Sequence, residues 1–157
     1  MPDEIGFYHL TRSALENALP RLLEIVLARG HKVIIVTGSE ARMTRLNEVL
    51  WTYEQRSWLP HGLCQDDHAA RQPILITDQQ DDITSGDGPP NGADVLVALD
   101  GVTLSEYGMF KRLLDMFDGG DEAAVAAARK RWKYYRDAGE TVSYWRQTDQ
   151  GSWEKQA

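Results

Sequence analysis

Residues 32–37, KVIIVT, constrain the fold more than any other stretch of the chain. Four consecutive β-branched apolar residues leave no polar face, so a strand here is buried on both sides. A helical pattern precedes it. Leu15, Leu19, Leu22, Leu23, Val26 and Leu27 recur at three- and four-residue spacing, and Gly30 stops them. Pro20 falls inside that pattern and either kinks the helix or marks its first turn, with 11–19 as a looser lead-in. A second helix follows: Gly38 turns the chain, Ser39 caps, and Met43, Leu46, Val49 and Leu50 form the apolar stripe. A strand covered on both faces between two helices is the repeating unit of an α/β sheet.

The remaining residues extend this alternation. Ile5 to Leu10 reads as a first strand, Pro73 to Thr77 and Asp94 to Leu99 as further strands, and Thr141 to Arg146 as a last strand at an edge. Residues 54–72 are less regular. Asp78 to Ala93 holds acidic residues, Gly, Pro and Asn, and reads as a long exposed loop. Leu104 to Phe117 reads as a helix broken by Asp118-Gly119-Gly120, and residues 147–157 as a frayed C-terminal tail. The expectation is one α/β domain over 1–146, mainly parallel, with helices on both faces. A length of 157 residues suits one core of this kind.

Composition excludes several classes. A net charge of -7 disfavours broad binding to nucleic acid, which needs an extended basic surface. The single cysteine, Cys64, cannot form an internal disulfide, which fits a reducing cytoplasm. MPDEIGFYHL lacks a basic region followed by an apolar run, and no segment reaches the roughly 18 apolar residues of a membrane span.

Motifs for catalysis are weak. VIIVTGSEAR, Val33 to Arg42, has the strand–turn–helix form of a phosphate site but lacks G-x-G-x-x-G and G-x-x-x-x-G-K-[ST], so it reads as a structural turn. His61, Cys64 and His68, with Asp66 or Asp67, have a spacing compatible with zinc but no second ligand pair, and no metal is assigned. Cys64 has no evident oxyanion donor or orienting acid to make it a nucleophile. Asp78, Asp81, Asp82 and Asp87 crowd a solvated loop, where nothing shifts a carboxyl toward acid–base work. No catalytic residue and no cofactor are expected.

The stretch from Ala123 to Arg136, AAVAAARKRWKYYR, is different. Five of the chain's 17 Lys and Arg residues lie between Arg129 and Arg136. At about 100° per residue, Arg129, Trp132, Lys133 and Arg136 share one arc with Val125 upstream. The opposite arc carries Ala124, Ala127, Ala128 and Tyr135, small enough to pack on a sheet; Arg131 there must snorkel past the rim. A cationic strip beside an indole suits an acidic peptide ending in a hydrophobic side chain, or a single-stranded nucleic acid held by stacking and phosphate contacts. Trp51 and Trp58, near Tyr53 and Leu59, read either as a satellite core or as a protein-binding patch.

Four segments in order, FYHL (Phe7 to Leu10), LNEVLW (Leu46 to Trp51), WLPH (Trp58 to His61) and ARKRWKYYRDAG (Ala128 to Gly139), resemble the chi subunit family of bacterial DNA polymerase III. The resemblance implies a Rossmann-like fold with no functional nucleotide site and an adapter, not an enzyme, in the clamp-loader complex. Its partner would be the acidic C-terminal tail of single-stranded-DNA-binding protein, which ends in phenylalanine; contact with DNA would be indirect, and no membrane is involved. By resemblance Arg129 is the tail-binding arginine, Trp132 replaces a family tyrosine, and Phe117 is the apolar pocket residue. Val125 stands where the family has a basic residue, which shifts the patch toward Lys133 and Arg136. A second surface, at Trp51, Trp58 and Leu59, would bind the psi subunit or a helicase-like repair protein in its place. The direct nucleic-acid binder and a degenerate nucleotide-binding enzyme are the alternatives.

Overall fold

The computed structural model describes residues 2–11, 14–52, 59–84, 88–104, 106–150 and 152–156. Among these described residues the sheet has eight strands: β1 (Glu4–Leu10), β2 (Val33–Val36), β3 (His61–Leu63), β4 (Ile74–Thr77), β5 (Val95–Ala98), β6 (Arg112–Asp118), β7 (Val142–Gln147) and β8 (Trp153–Lys155). Their order is β3-β4-β2-β5-β6-β1-β7-β8, and every neighbouring pair is parallel except β7–β8. The helices are α1 (Leu15–Ala28), α2 (Glu40–Thr52), a single turn α3 (Asp81–Thr84) and α4 (Glu122–Asp137). Among the described residues no helix is long and apolar enough to cross a membrane.

The apolar run at 33–36 behaves as its composition dictates. Val33 and Ile35 enter a core with residues of α1 and α2, while Ile34 and Val36 enter a second core with Ala128 and Tyr135 of α4. Each such side chain, fully withdrawn from water, contributes about 1.5–3 kcal/mol of transfer free energy. The expected α/β sheet with helices on both faces is what the chain forms.

Several local expectations are corrected. Leu104 to Phe117 is not a helix: Leu104 and Phe110 are buried in irregular backbone, and Arg112–Asp118 is the long central strand β6. A short apolar run fits either period, and here the open ladders of β1 and β5 take it as a strand. The strand at 142–147 is not at the edge, because Trp153–Lys155 of the supposed frayed tail pairs with it. The 78–93 segment is partly anchored by Ile83, Asn91 and Ala93, all buried; Asn91 Nδ2 donates to the carbonyls of Val33 and Gln72. Residues 54–72 supply β3 and a 3₁₀ turn at Ala69–Arg71. Helix α1 starts at Leu15, so Pro20 is buried in its second turn rather than opening it. Ser39 caps α2 as expected, its Oγ accepting from the N–H of Arg42 at 3.1 Å.

Arg131 does not snorkel. It is 5% exposed and donates from Nε and Nη2 to both carboxylate oxygens of Asp115 on β6, at 2.7 and 2.9 Å. The forked guanidinium matches the carboxylate, so one cation of the cluster pins α4 to the middle of the sheet.

Candidate functional site at the β7 side of the last helix

Paired positions in a sheet share a face, and so do residues two apart on a strand. The register therefore sets Phe117, His9, Arg146 and Glu154 in one row, and Asp115, Phe7 and Tyr144 in the next. Both rows face α4, since Asp115 meets Arg131 there and Phe7 meets Trp132 and Tyr135. Asp121 starts α4, its carboxylate accepting from the N–H groups of Ala123 and Ala124. The turn before it is tight: a Cβ on Gly119 would sit 2.1 Å from the His9 ring and 2.4 Å from the Leu10 carbonyl oxygen. Only glycine lets the turn close over His9.

The floor of the site is aromatic. Phe117 is buried, with His9 at 5.1 Å and Tyr144 at 6.2 Å between ring centroids. Half-buried Trp132 stands edge-on to Tyr144 at 6.0 Å and to Phe7 at 5.8 Å. Tyr144 thus has ring contacts with both Phe117 and Trp132. The hydroxyl of Tyr144 is hydrogen-bonded to His9 Nδ1. Val125 packs half-buried into the core beneath this flank and offers no polar group.

The rim is cationic. Arg129, Lys133 and Arg136 on α4 and Arg146 on β7 are exposed. Arg42, Arg112 and Arg131 each hold a carboxylate at 2.7–3.1 Å. Among the described residues no carboxylate pairs with Arg129, Lys133 or Arg146, and Arg136 has only a loose 3.8 Å contact with its neighbour Asp137. Loss of hydration holds the His9 pKa below the usual histidine range, and the positive charges of Arg146 and Arg129 lower it further, opposed by Asp118. Burial pushes the Tyr144 hydroxyl up, while the same two arginines pull it down. The field above this floor is positive.

His9, Tyr144 and Arg146 were not among the residues the sequence nominated. Their signal is the alternation in FYHL and SYWR, which becomes useful only once β1 and β7 are known to be neighbours. Arg129, Trp132, Lys133 and Arg136 come together because one helix carries them.

The other nominated groups lie elsewhere. Trp51 ends α2 with 62% of its surface exposed, its ring 4.7 Å from that of His61. Leu59 is 3% exposed and belongs to the core, so it offers no surface to a partner. Trp58, Tyr53 and Asp87 lie outside the described residues. Strand β3 beside Trp51 and strand β7 are six spacings apart in the sheet, roughly 29 Å at about 4.8 Å each.

At the carboxyl ends of the strands a cleft of about 750 Å³ lies where an α/β sheet would hold a nucleotide. The carboxylate of Asp100 accepts from the Gly38 N–H at 3.0 Å and from Arg42 Nε at 3.1 Å, and Arg42 Nη1 also reaches Glu16. Acidic groups thus stand where phosphate would bind. Both ring nitrogens of His61 face backbone carbonyls, those of Leu59 and Asn47. Burial and the nearby Asp82 push the Cys64 thiol up to about 12, so it is protonated at neutral pH. Among the described residues no three His, Cys, Asp or Glu side chains gather as a metal site.

These features define a class: an α/β domain bearing an aromatic floor under a cationic rim, suited to an anionic ligand with an apolar end. The model of the family described as DNA polymerase III chi subunit, HolC, matches residues 1–143. The "Probable DNA polymerase III subunit chi" of Rickettsia prowazekii is 30% identical over 115 residues, which cover 73% of this chain and 66% of that protein, just under two thirds. The DNA polymerase III subunit chi of Pseudomonas aeruginosa is 28% identical, over 76% of this chain and 77% of its own. That of Escherichia coli is 27% identical, over 81% and 82%. The chain belongs to the DNA polymerase III chi subunit family.

Proposed function

We propose that the chain is a non-catalytic accessory subunit of the DNA polymerase III machinery, working in the cytoplasm as an adapter of the clamp loader. It would bind the acidic C-terminal tail of single-stranded-DNA-binding protein. The observation that carries this reading is a cationic rim over an aromatic floor, in which Arg129, Lys133 and Arg146 have no carboxylate partner among the described residues, in a chain of net charge -7. Arg129 holds the tail's terminal carboxylate, and Lys133 and Arg136 steer its aspartates. The terminal phenyl ring lies against Trp132 and Tyr144, whose rings stand 6.0 Å apart, with Phe117 beside Tyr144 as the apolar pocket residue. The exposed Trp51 at the far side of the sheet is the natural contact for a second protein, the psi subunit or a helicase-like repair protein.

A charge-assisted hydrogen bond contributes about 1.5–3 kcal/mol, so Arg129→Ala should weaken tail binding tenfold or more. Titration of a labelled tail peptide into wild type and variant measures this; equal affinities remove the proposed anchor. An oligonucleotide titrated in parallel separates the direct nucleic-acid binder, which would bind without the peptide and with a steep salt dependence.

A further inference from the structure

Arg146 lies beyond the residues matched by the family model, yet the register puts it on the α4 side of the sheet, directly beside His9. The charges of Arg129, on the helix, and of Arg146, on the strand, both act on the hydrogen-bonded His9–Tyr144 pair. Glu154 is its cross-strand neighbour on β8, but among the described residues no ion pair closes between them. Two guanidiniums that have no carboxylate partner among the described residues, beside one hydrogen-bonded His9–Tyr144 pair, offer two forks for the two oxygens of a carboxylate.

We infer that Arg146 is a second anchor of the site, and that it and Arg129 hold one terminal carboxylate of a bound peptide between them, above His9 and Tyr144. This rests on the adapter reading and deepens it. The upstream aspartates of the peptide then run along α4 toward Lys133 and Arg136, away from the β7–β8 hairpin. Strand β8 has a role in this arrangement, since its pairing fixes β7 at the point where Arg146 projects.

The test is calorimetric titration of the full chain with two synthetic peptides, an aspartate-rich sequence ending in phenylalanine with a free carboxylate, and its C-terminal amide. Arg146→Ala should weaken the free acid about tenfold, the loss of a charge-assisted contact, and leave the amide nearly unaffected. Arg146→Lys keeps the charge without the fork and should recover only part of the affinity. The double variant with Arg129→Ala should lose less than the product of the two single losses, because both groups read the same carboxylate. Because Arg146 is exposed, its variants should melt like wild type.

If Arg146→Ala binds the free acid like wild type, or loses equally for acid and amide, the second anchor is wrong. The adapter reading survives that result provided Arg129→Ala still weakens binding. If wild type binds neither peptide, both fall together.

Discussion

Arg129 and Arg131 stand two residues apart on one helix and have opposite fates. Arg131 turns into the protein, 5% exposed and forked onto Asp115. Arg129 turns outward, unpaired among the described residues, at the edge of an aromatic floor. The 200° between them on the helix sends one to the sheet and the other to the rim. A cluster of cations in sequence is therefore not one patch in space. The buried member holds α4 in place, and the outward members act only because it does.

The largest effect is expected from Asp115→Ala. Removing one partner leaves a buried charge uncompensated, and breaking such pairs costs about 3–5 kcal/mol. Urea denaturation should show that loss, and Asp115→Leu with Arg131→Met should recover much of it, since apolar replacement of a buried pair is often neutral or better. Arg129→Ala is the counterpart. Its stability should stay within about 0.5 kcal/mol of wild type, as is usual at an exposed site, while tail binding drops.

The smallest expected effect concerns pH. The folded-state pKa of His9 lies below its unfolded value near 6.5, so the unfolded chain binds more protons in that range. Stability therefore falls as pH drops through 6.5 and levels off below the folded pKa. Melting temperatures from pH 7.5 to 5.5 should decline less for His9→Gln than for wild type. An identical decline would mean that His9 is not the group involved.

The sequence made strands β1, β2, β4 and β5 legible, and left β6 and the short outer strands β3 and β8 hidden. The run at 33–36 had one solution because both its faces are apolar. Leu104 to Phe117 reads as a helix because its short apolar run fits either period, and only Arg131, from a later helix, explains why strand β6 carries Asp115. The three residues of β8 carry no period of their own, so from the sequence β7 reads as an edge. The site divides along the same line. Arg129, Trp132, Lys133 and Arg136 were found because helical spacing places them on one arc. His9 and Tyr144, 135 residues apart, meet only through the pairing of β1 with β7. Resemblance supplied Phe117, which lies buried in the floor beside the His9 and Tyr144 rings.

A tail read at the α4–β7 side of the molecule, and not at the β3 side where Trp51 is exposed, would touch one tryptophan and spare the other. The tryptophan indole N–H resonances of isotopically labelled protein report on both at once. Titration with the free-acid tail peptide should shift the Trp132 resonance strongly and leave Trp51 in place. A shift at Trp51 with Trp132 unmoved would contradict it.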